Sequence, residues 1–289
     1  MHINMKYYIV TIGAIFISLG IGMLVGFNLN YDQELSKQQT EIINDLDEKF
    51  ENLKNANNDL EGKLKSLNLS YDKTIDFIND NVDKLIPEEL SNQNIGIIST
   101  NGSTDVNYAQ EAIKKANGNV LFNINFTDKV TDENILNKLS QQIKLEIKDT
   151  EELITYVIEA LKNDGAQEKL EPLQNLGLLD IRSINSDYMN VTSIVLSGDG
   201  KTKDFKNEFE NLDKILIEKL KSEEKYIIGV ETTDTKSSYI GLYSENKIAT
   251  VDNINKGSGQ LALILALKDG NVIGNFGIGD SAESLIPYK

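Results

Sequence analysis

Two short stretches carry residue types and spacings that suggest phosphate chemistry. Residues 250–267 read TVDNINKGSGQLALILAL. Asp252 ends a strand-like run, Gly257 and Gly259 follow, and an apolar helix opens. A strand, a glycine turn and a helix can cradle a phosphate on backbone amides. Residues 197–204, SGDGKTKD, contain the Gly-Lys-Thr that closes a Walker A loop. That loop needs a glycine five residues before its second glycine, and Val195 stands there. Only Gly198 and Gly200 remain, so the nest is incomplete and an acidic strand-to-helix turn is the better reading. GNFGIG, residues 274–279, has the wrong spacing for a dinucleotide fingerprint and reads as a surface loop. In the first stretch, Ser258 reads as a helix N-cap with Gly257 easing the turn. Asp252 would repel an incoming phosphate, which favours a structural joint.

Acid–base and metal chemistry have little to work with. The 289 residues contain no Cys and no Trp, and His2 is the one histidine. Thiolate chemistry, cysteine metal sites and a Ser-His-Asp triad are therefore excluded. Paired carboxylates remain: Asp199, Asp234 and Asp252 can converge. Carboxylates at strand ends also cap helices and hold loops, so the expectation is a non-enzymatic chain with no cofactor and no metal site. The net charge of −16 repels nucleic acid and suits a soluble body that meets cations or basic surfaces.

Alternating strand and helix signals must position these residues. Strand-like runs lie at 94–100, 119–126, 191–199, 225–231 and 247–252. Helical spacing occupies roughly 105–117, 132–145, 150–163, 168–176, 206–222 and 237–244, and a last helix starts at Ser258. Continuous apolar strands alternating with helices indicate a mostly parallel sheet covered on both faces. The expected fold is a three-layer, Rossmann-like α/β domain over 92–289. Ligands of such sheets bind at the carboxyl edge of the strands. That edge would carry Ser99, Asn101, Asp199, Glu231, Asp234, Asp252 and Asn253, a candidate surface for a ligand, a sugar or a partner.

Ahead of this domain lies a membrane signal. Residues 8–27, YIVTIGAIFISLGIGMLVGF, would make a helix about 30 Å long, enough to cross a bilayer core. No small-x-small cleavage site follows, which favours an uncleaved anchor over 1–30 rather than a signal peptide. Lys6 precedes the span, while Asp32 and Glu34 follow it. By the positive-inside rule the N-terminus is cytoplasmic and the body lies outside a plasma membrane. Ser18, Gly22 and Gly26 recur every four residues, a spacing that lets two membrane helices approach closely.

Residues 31–88 read as a coiled-coil stalk ended by Pro87. An apolar stripe runs through Ile42, Leu46, Leu53, Ala56, Leu60, Leu64, Leu67, Tyr71, Ile75, Ile78, Val82 and Leu85, with a break at Lys49. Its steps average about 3.6 residues, with paired four-residue steps that resemble stutters. So narrow a stripe on so long a helix needs a partner. A parallel homodimer is the simplest, although Lys49 and Ala56 dilute the stripe.

The short polar start, the span, the stalk and the C-terminal IATVDNINKGSGQLALILAL with NFG and LIP resemble the family of mycobacterial copper transport protein B, MctB. The resemblance rests on Thr250, Val251, Asp252, Asn253, Gly259 and Gln260, with Ala249 where the family usually has Ser. Residues 127–190 carry no motif of it. The family label implies a role in copper transport or homeostasis. SteB-type proteins, which resemble this chain in layout, imply a different role: an envelope-facing scaffold that pairs with a SteA-like membrane protein and a cell wall enzyme in assembly and division. Cu(I) prefers thiolate and thioether ligands, and the methionines stand at 1, 5, 23 and 189. On the residues, the scaffold reading is preferred and copper handling is the alternative.

Overall fold

A computed structural model describes residues 5–103, 105–185 and 188–287, and for 28–34 the backbone only. The chain divides into two compact units, Met1–Asp72 and Lys73–Lys289. A single helix, α1, runs from Met5 to Leu85. It stops just before Pro87, which disfavours helical backbone at the residue ahead of it. Its segment Met5–Phe27 is long and apolar enough to cross a membrane. Ser18, Gly22 and Gly26 are exposed there, with open space beside both glycines. His2 and the side chains of Asp32 and Glu34 lie outside the described residues.

The second unit is a mixed α/β structure built on one seven-stranded sheet. The strands are β1 Asn94–Thr100, β2 Asn119–Phe126, β3 Leu179–Ile184, β4 Ser193–Ser197, β5 Tyr226–Val230, β6 Ala249–Val251 and β7 Asn275–Phe276. Their order is β3-β2-β1-β4-β5-β6-β7. All pairs are parallel except β2 with β3.

The helices are α2 Val106–Lys115, α3 Glu133–Ile143, α4 Thr150–Leu161, α5 Ala166–Asn175, α6 Phe205–Asn211, α7 Asp213–Ser222, α8 Ile240–Glu245 and α9 Gly257–Asp269. Strand residues alternate between the two faces, as the two-residue strand period requires. Ile95, Ile97, Val195, Ile228 and Val230 pack with α2, α9 and Val82 of α1. Ile98, Ile194, Leu196 and Ile227 pack with residues from α3 to α8. Gly229 is required by close approach: a Cβ there would run into the ring of Tyr243 on α8.

Several local expectations change. The polar run Leu179–Ile184 is the antiparallel edge strand β3. The helix expected over 206–222 is two, α6 and α7, interrupted at Leu212. GNFGIG is not merely a loop, because Asn275–Phe276 pairs with Thr250–Val251 as strand β7. Ser258 is not an N-cap; Lys256 holds that position, and Ser258 is buried in the first turn of α9. The second compact unit, which holds the sheet, also includes the last part of α1 from Lys73.

Candidate functional site

β1 and β4 are adjacent, and the chain leaves them toward opposite sides of the sheet. Their carboxyl ends therefore form the topological switch point, where ligands of open α/β sheets bind. After β1, Ser99 donates from Oγ to Asn125 Oδ1 at 3.0 Å, and the Gly102 amide donates to the same oxygen at 3.1 Å. Asn101 is buried in left-handed backbone with φ +55°. Ser103 and Ser197 hydroxyls meet at 2.7 Å across the two strand ends. Beneath them Asp213 accepts Thr100 Oγ1 on both carboxylate oxygens at 3.0 Å. It also accepts the Tyr243 hydroxyl at 3.0 Å. Complete burial pushes the Asp213 carboxyl up to about 7, against the pull of these donors.

The GDGKT loop follows β4, and its glycines answer to side-chain crowding. A Cβ at Gly198 would lie 2.6 Å from Thr100 Oγ1 and 2.7 Å from Asp213 Oδ1. One at Gly200 would meet Phe205, and Ser237 at 2.8 Å. The amides that a phosphate would use are taken: Lys201 N and Thr202 N donate to the two carboxylate oxygens of Glu208, at 3.0 and 3.1 Å. The chain fills its own anion nest with a side chain of α6. A cleft of about 200 Å³ opens beside it, lined by Asn101, Asp128, Lys201, Glu208 and Asn211 among others.

Asp199 is half-buried next to this loop. Burial, then the charge of Asp105, pushes its carboxyl up, while Lys201 pulls it down. Glu231, at the end of β5, is buried and accepts the Tyr239 amide at 2.9 Å, which ties the start of α8 to the strand. Burial pushes its carboxyl up to about 7, against hydrogen bonds from Ser238 and the α8 amides. Asp234 is exposed in the same loop. A second cleft, of about 430 Å³, is lined by Glu231, Thr232, Thr235, Ser238, Asp252 and Asp280, among others. Its hydroxyls and carboxylates can accept and donate hydrogen bonds to a polar ligand.

Asp252 faces this cleft, yet its oxygens are engaged by backbone. Oδ1 accepts the Ile278 amide at 2.9 Å and Oδ2 the Gly279 amide at 2.8 Å. Its own amide donates to Phe276 O at 3.1 Å. The carboxylate thus pins the turn after β7. Gly277, at φ +139°, leaves the space that the carboxylate occupies. Asn253 is fully buried, and its Nδ2 donates to Ser258 Oγ at 3.0 Å. The Ser258 amide donates to Asn79 Oδ1 on α1 at 2.8 Å. The glycines flanking Ser258 admit these neighbours: a Cβ at Gly257 would lie 2.7 Å from the Asn79 Cα, and one at Gly259 2.6 Å from Asn253 Oδ1. Both first-turn glycines of α9 are therefore contact positions, and Asn79 takes the amide that an anion would seek.

A family model described as "Copper transport outer membrane protein, MctB" matches residues 2–287. The chain belongs to the MctB family. No curated protein matches it. The stretch Thr250–Gln260, which carried the resemblance to MctB, is in the fold a socket: Asp252 holds β7, and Asn253 and Ser258 seat the end of α1.

The MctB description makes copper the cargo, and the donors of this head are ill-suited to hold Cu(I) directly. The softest side chain described there is Met189, 65 % exposed. Among the described residues no group of three or more His, Cys, Asp or Glu is placed to hold a metal ion.

Of the expected edge residues, the fold brings Ser99 and Asn101 to the switch point beside Asp199, and Glu231 and Asp252 to the second cleft. Asn253 is buried at the socket instead. Three residues of the site escaped sequence reasoning. Asp105 accepts the Thr232 amide at 3.0 Å and so fixes the β5–α8 loop. Asp213 reads as an ordinary polar residue of an amphipathic helix. Asn79 reads as a polar position beside Ile78. No local pattern marked the last two, since each is followed by a charged residue, Lys214 and Asp80.

Proposed function

We propose that this MctB-family chain acts in copper transport or homeostasis as a membrane-anchored accessory component rather than as an enzyme or a conduit. The match of the family model over residues 2–287 carries this reading. The head contributes by binding a partner, and copper ions pass through other molecules. The one apolar helical span among the described residues supports this, because from Tyr7 to Phe27 it carries no charged side chain and offers an ion no path. The hard oxygen donors of the sheet edge point the same way. The span is helical and the sheet is a mostly parallel one covered by helices, whereas outer-membrane spanners close an antiparallel barrel. We therefore place the anchor in the plasma membrane, with the N-terminus cytoplasmic, the head outside, and 31–88 as a coiled-coil stalk between them.

Removing the gene and measuring cell-associated copper under copper load tests the reading. The expected result is altered copper content and altered copper tolerance, restored by the full chain. Unchanged copper content and tolerance would overturn it. A second reading has its own support, the scarcity of soft ligands in the head. In it the same architecture is a SteB-like envelope scaffold, joined to a SteA-like membrane protein and a cell wall enzyme. Deletion would then give septation or envelope defects at normal copper content. Recovery of a membrane partner by crosslinking in intact cells would identify the scaffolded protein.

A further inference from the structure

Between Ile43 and Tyr71 the helix α1 presents large apolar side chains to solvent. Leu46 is 58 % exposed, Leu53 70 %, Leu60 56 % and Leu67 65 %. These four leucines are spaced seven residues apart. Ile43, Phe50, Leu64 and Tyr71 interleave with them at alternating steps of three and four, and all four are exposed. In heptad terms the leucines are the d positions, and Ile43, Phe50, Asn57, Leu64 and Tyr71 are the a positions. The stripe is therefore an unbroken 3.5-residue repeat, with no stutter in this stretch. Lys49 and Ala56 are not breaks in it, because they fall at the flanking g positions. The one polar core position is Asn57, in the central heptad.

We infer that residues 43–71 are the seam of a parallel, in-register, two-stranded coiled coil with a second copy of this chain, and that Asn57 sets its register and its two-chain state. A strict 3.5-residue period matches a supercoiled helix and drifts off the face of a straight one. Leucine at d favours two parallel strands, and one asparagine at an a position selects a dimer in register at a cost in stability. In a parallel pair Asn57 meets Asn57 of the second copy and the two amides can hydrogen-bond. In an antiparallel pair an a position faces a d position, which would set Asn57 against leucine and leave its amide unpaired. The chain order favours the parallel pair as well. Both copies carry their apolar span on the N-terminal side of the seam, and two spans in one membrane send their helices out in the same direction.

Surface charge does not choose this partner. Of the flanking g and e positions that face each other, the one pair with both members charged is Lys49 with Lys54 of the second copy, and it repels. The apolar seam and Asn57 carry the selection, and added salt strengthens the dimer by screening that pair.

This inference does not depend on the copper reading, since it concerns the stalk alone and is measured without copper. The chain has no cysteine, so single-cysteine variants of the full-length protein can be oxidised in native membranes without background. Facing a positions fall within the roughly 4.4–6.8 Å Cα separation that a disulfide spans. Ile43→Cys, Asn57→Cys and Tyr71→Cys should each crosslink to themselves, at least about tenfold more than Glu48→Cys and Asn55→Cys on the outer face. Asn57→Ile should keep a folded chain while adding assemblies larger than a dimer, read by light scattering in detergent because one cysteine per chain can join no more than two copies. Crosslinking confined to the middle of the seam would indicate an antiparallel pair and overturn the inference. So would equal crosslinking at inner and outer positions, or crosslinks only to a different protein.

Discussion

The apolar residues of α1 meet two different fates along one helix. Val82, with Ile86 and Leu90 just beyond the helix, is buried against α2 and α9, and Ile78 packs beside it. The leucines of the 43–71 segment stand in solvent. The side chains are of the same kind, so the difference lies in what faces them. From Lys73 onward the helix belongs to the compact head, whose socket of Gly257, Ser258 and Gly259 receives Asn79. The upstream leucines are exposed among the described residues, and a second helix across them is the seam proposed above. A closed intramolecular joint and the proposed intermolecular seam thus share one element. Damage to the joint should register in the stability of the head, and damage to the seam only in assembly.

Val82→Asp breaks the comparison most severely, because it buries an unpaired charge beside the socket. A loss of about 3–5 kcal/mol in head stability is expected, seen as a large fall in melting temperature. Leu60→Asp in the seam should leave the head's melting within about 0.5 kcal/mol of wild type.

The pH dependence of the head comes next. The folded Asp213 carboxyl titrates at about 7, against an ordinary 3.8. Between those values the folded head holds a proton that the unfolded chain has released, so stability falls as pH rises through that window. Asp213→Asn should flatten this fall by on the order of 2–4 kcal/mol in denaturant titrations across that range. Glu231, raised in the same direction, leaves part of the slope in place.

Asn79→Ala sharpens the account of the joint, since it strands the buried Ser258 amide. It should lower head stability by about 1–3 kcal/mol without altering crosslinking in the seam. The smallest effect belongs to Asp252→Asn. It should weaken the two hydrogen bonds to the 278–279 amides by about 1 kcal/mol and show first as faster proteolysis of that turn. Loss of function with the turn intact would instead give Asp252 a role in ligand binding.

The alternating series of strands and helices made the α/β sheet legible, because buried parallel strands read as continuous apolar runs. Leu179–Ile184 did not read as a strand, since it is a half-exposed edge carrying Asp180 and Arg182. β7 was hidden because two residues of strand among glycines carry no periodicity. The socket was legible as a glycine turn, but not its occupant. Asn79 lies 179 residues from Ser258, a separation that no local pattern encodes. The filled anion nest rests on Glu208, a local contact with the amides of Lys201 and Thr202 that no helix or strand periodicity marks. In the stalk, a period of 3.6 residues drew the stripe through Ile42, Lys49 and Ala56. Shifting these by one residue gives the 3.5-residue repeat of the proposed seam, with Asn57 at an a position.

The contrast between joint and seam is tested most directly by the mass of the full-length chain in detergent, measured by light scattering for wild type and for Leu53→Asn combined with Leu60→Asn. The account expects two copies for the wild type and one for the variant, with unchanged melting of the head. A wild-type monomer, or a dimer that survives both substitutions, would contradict it.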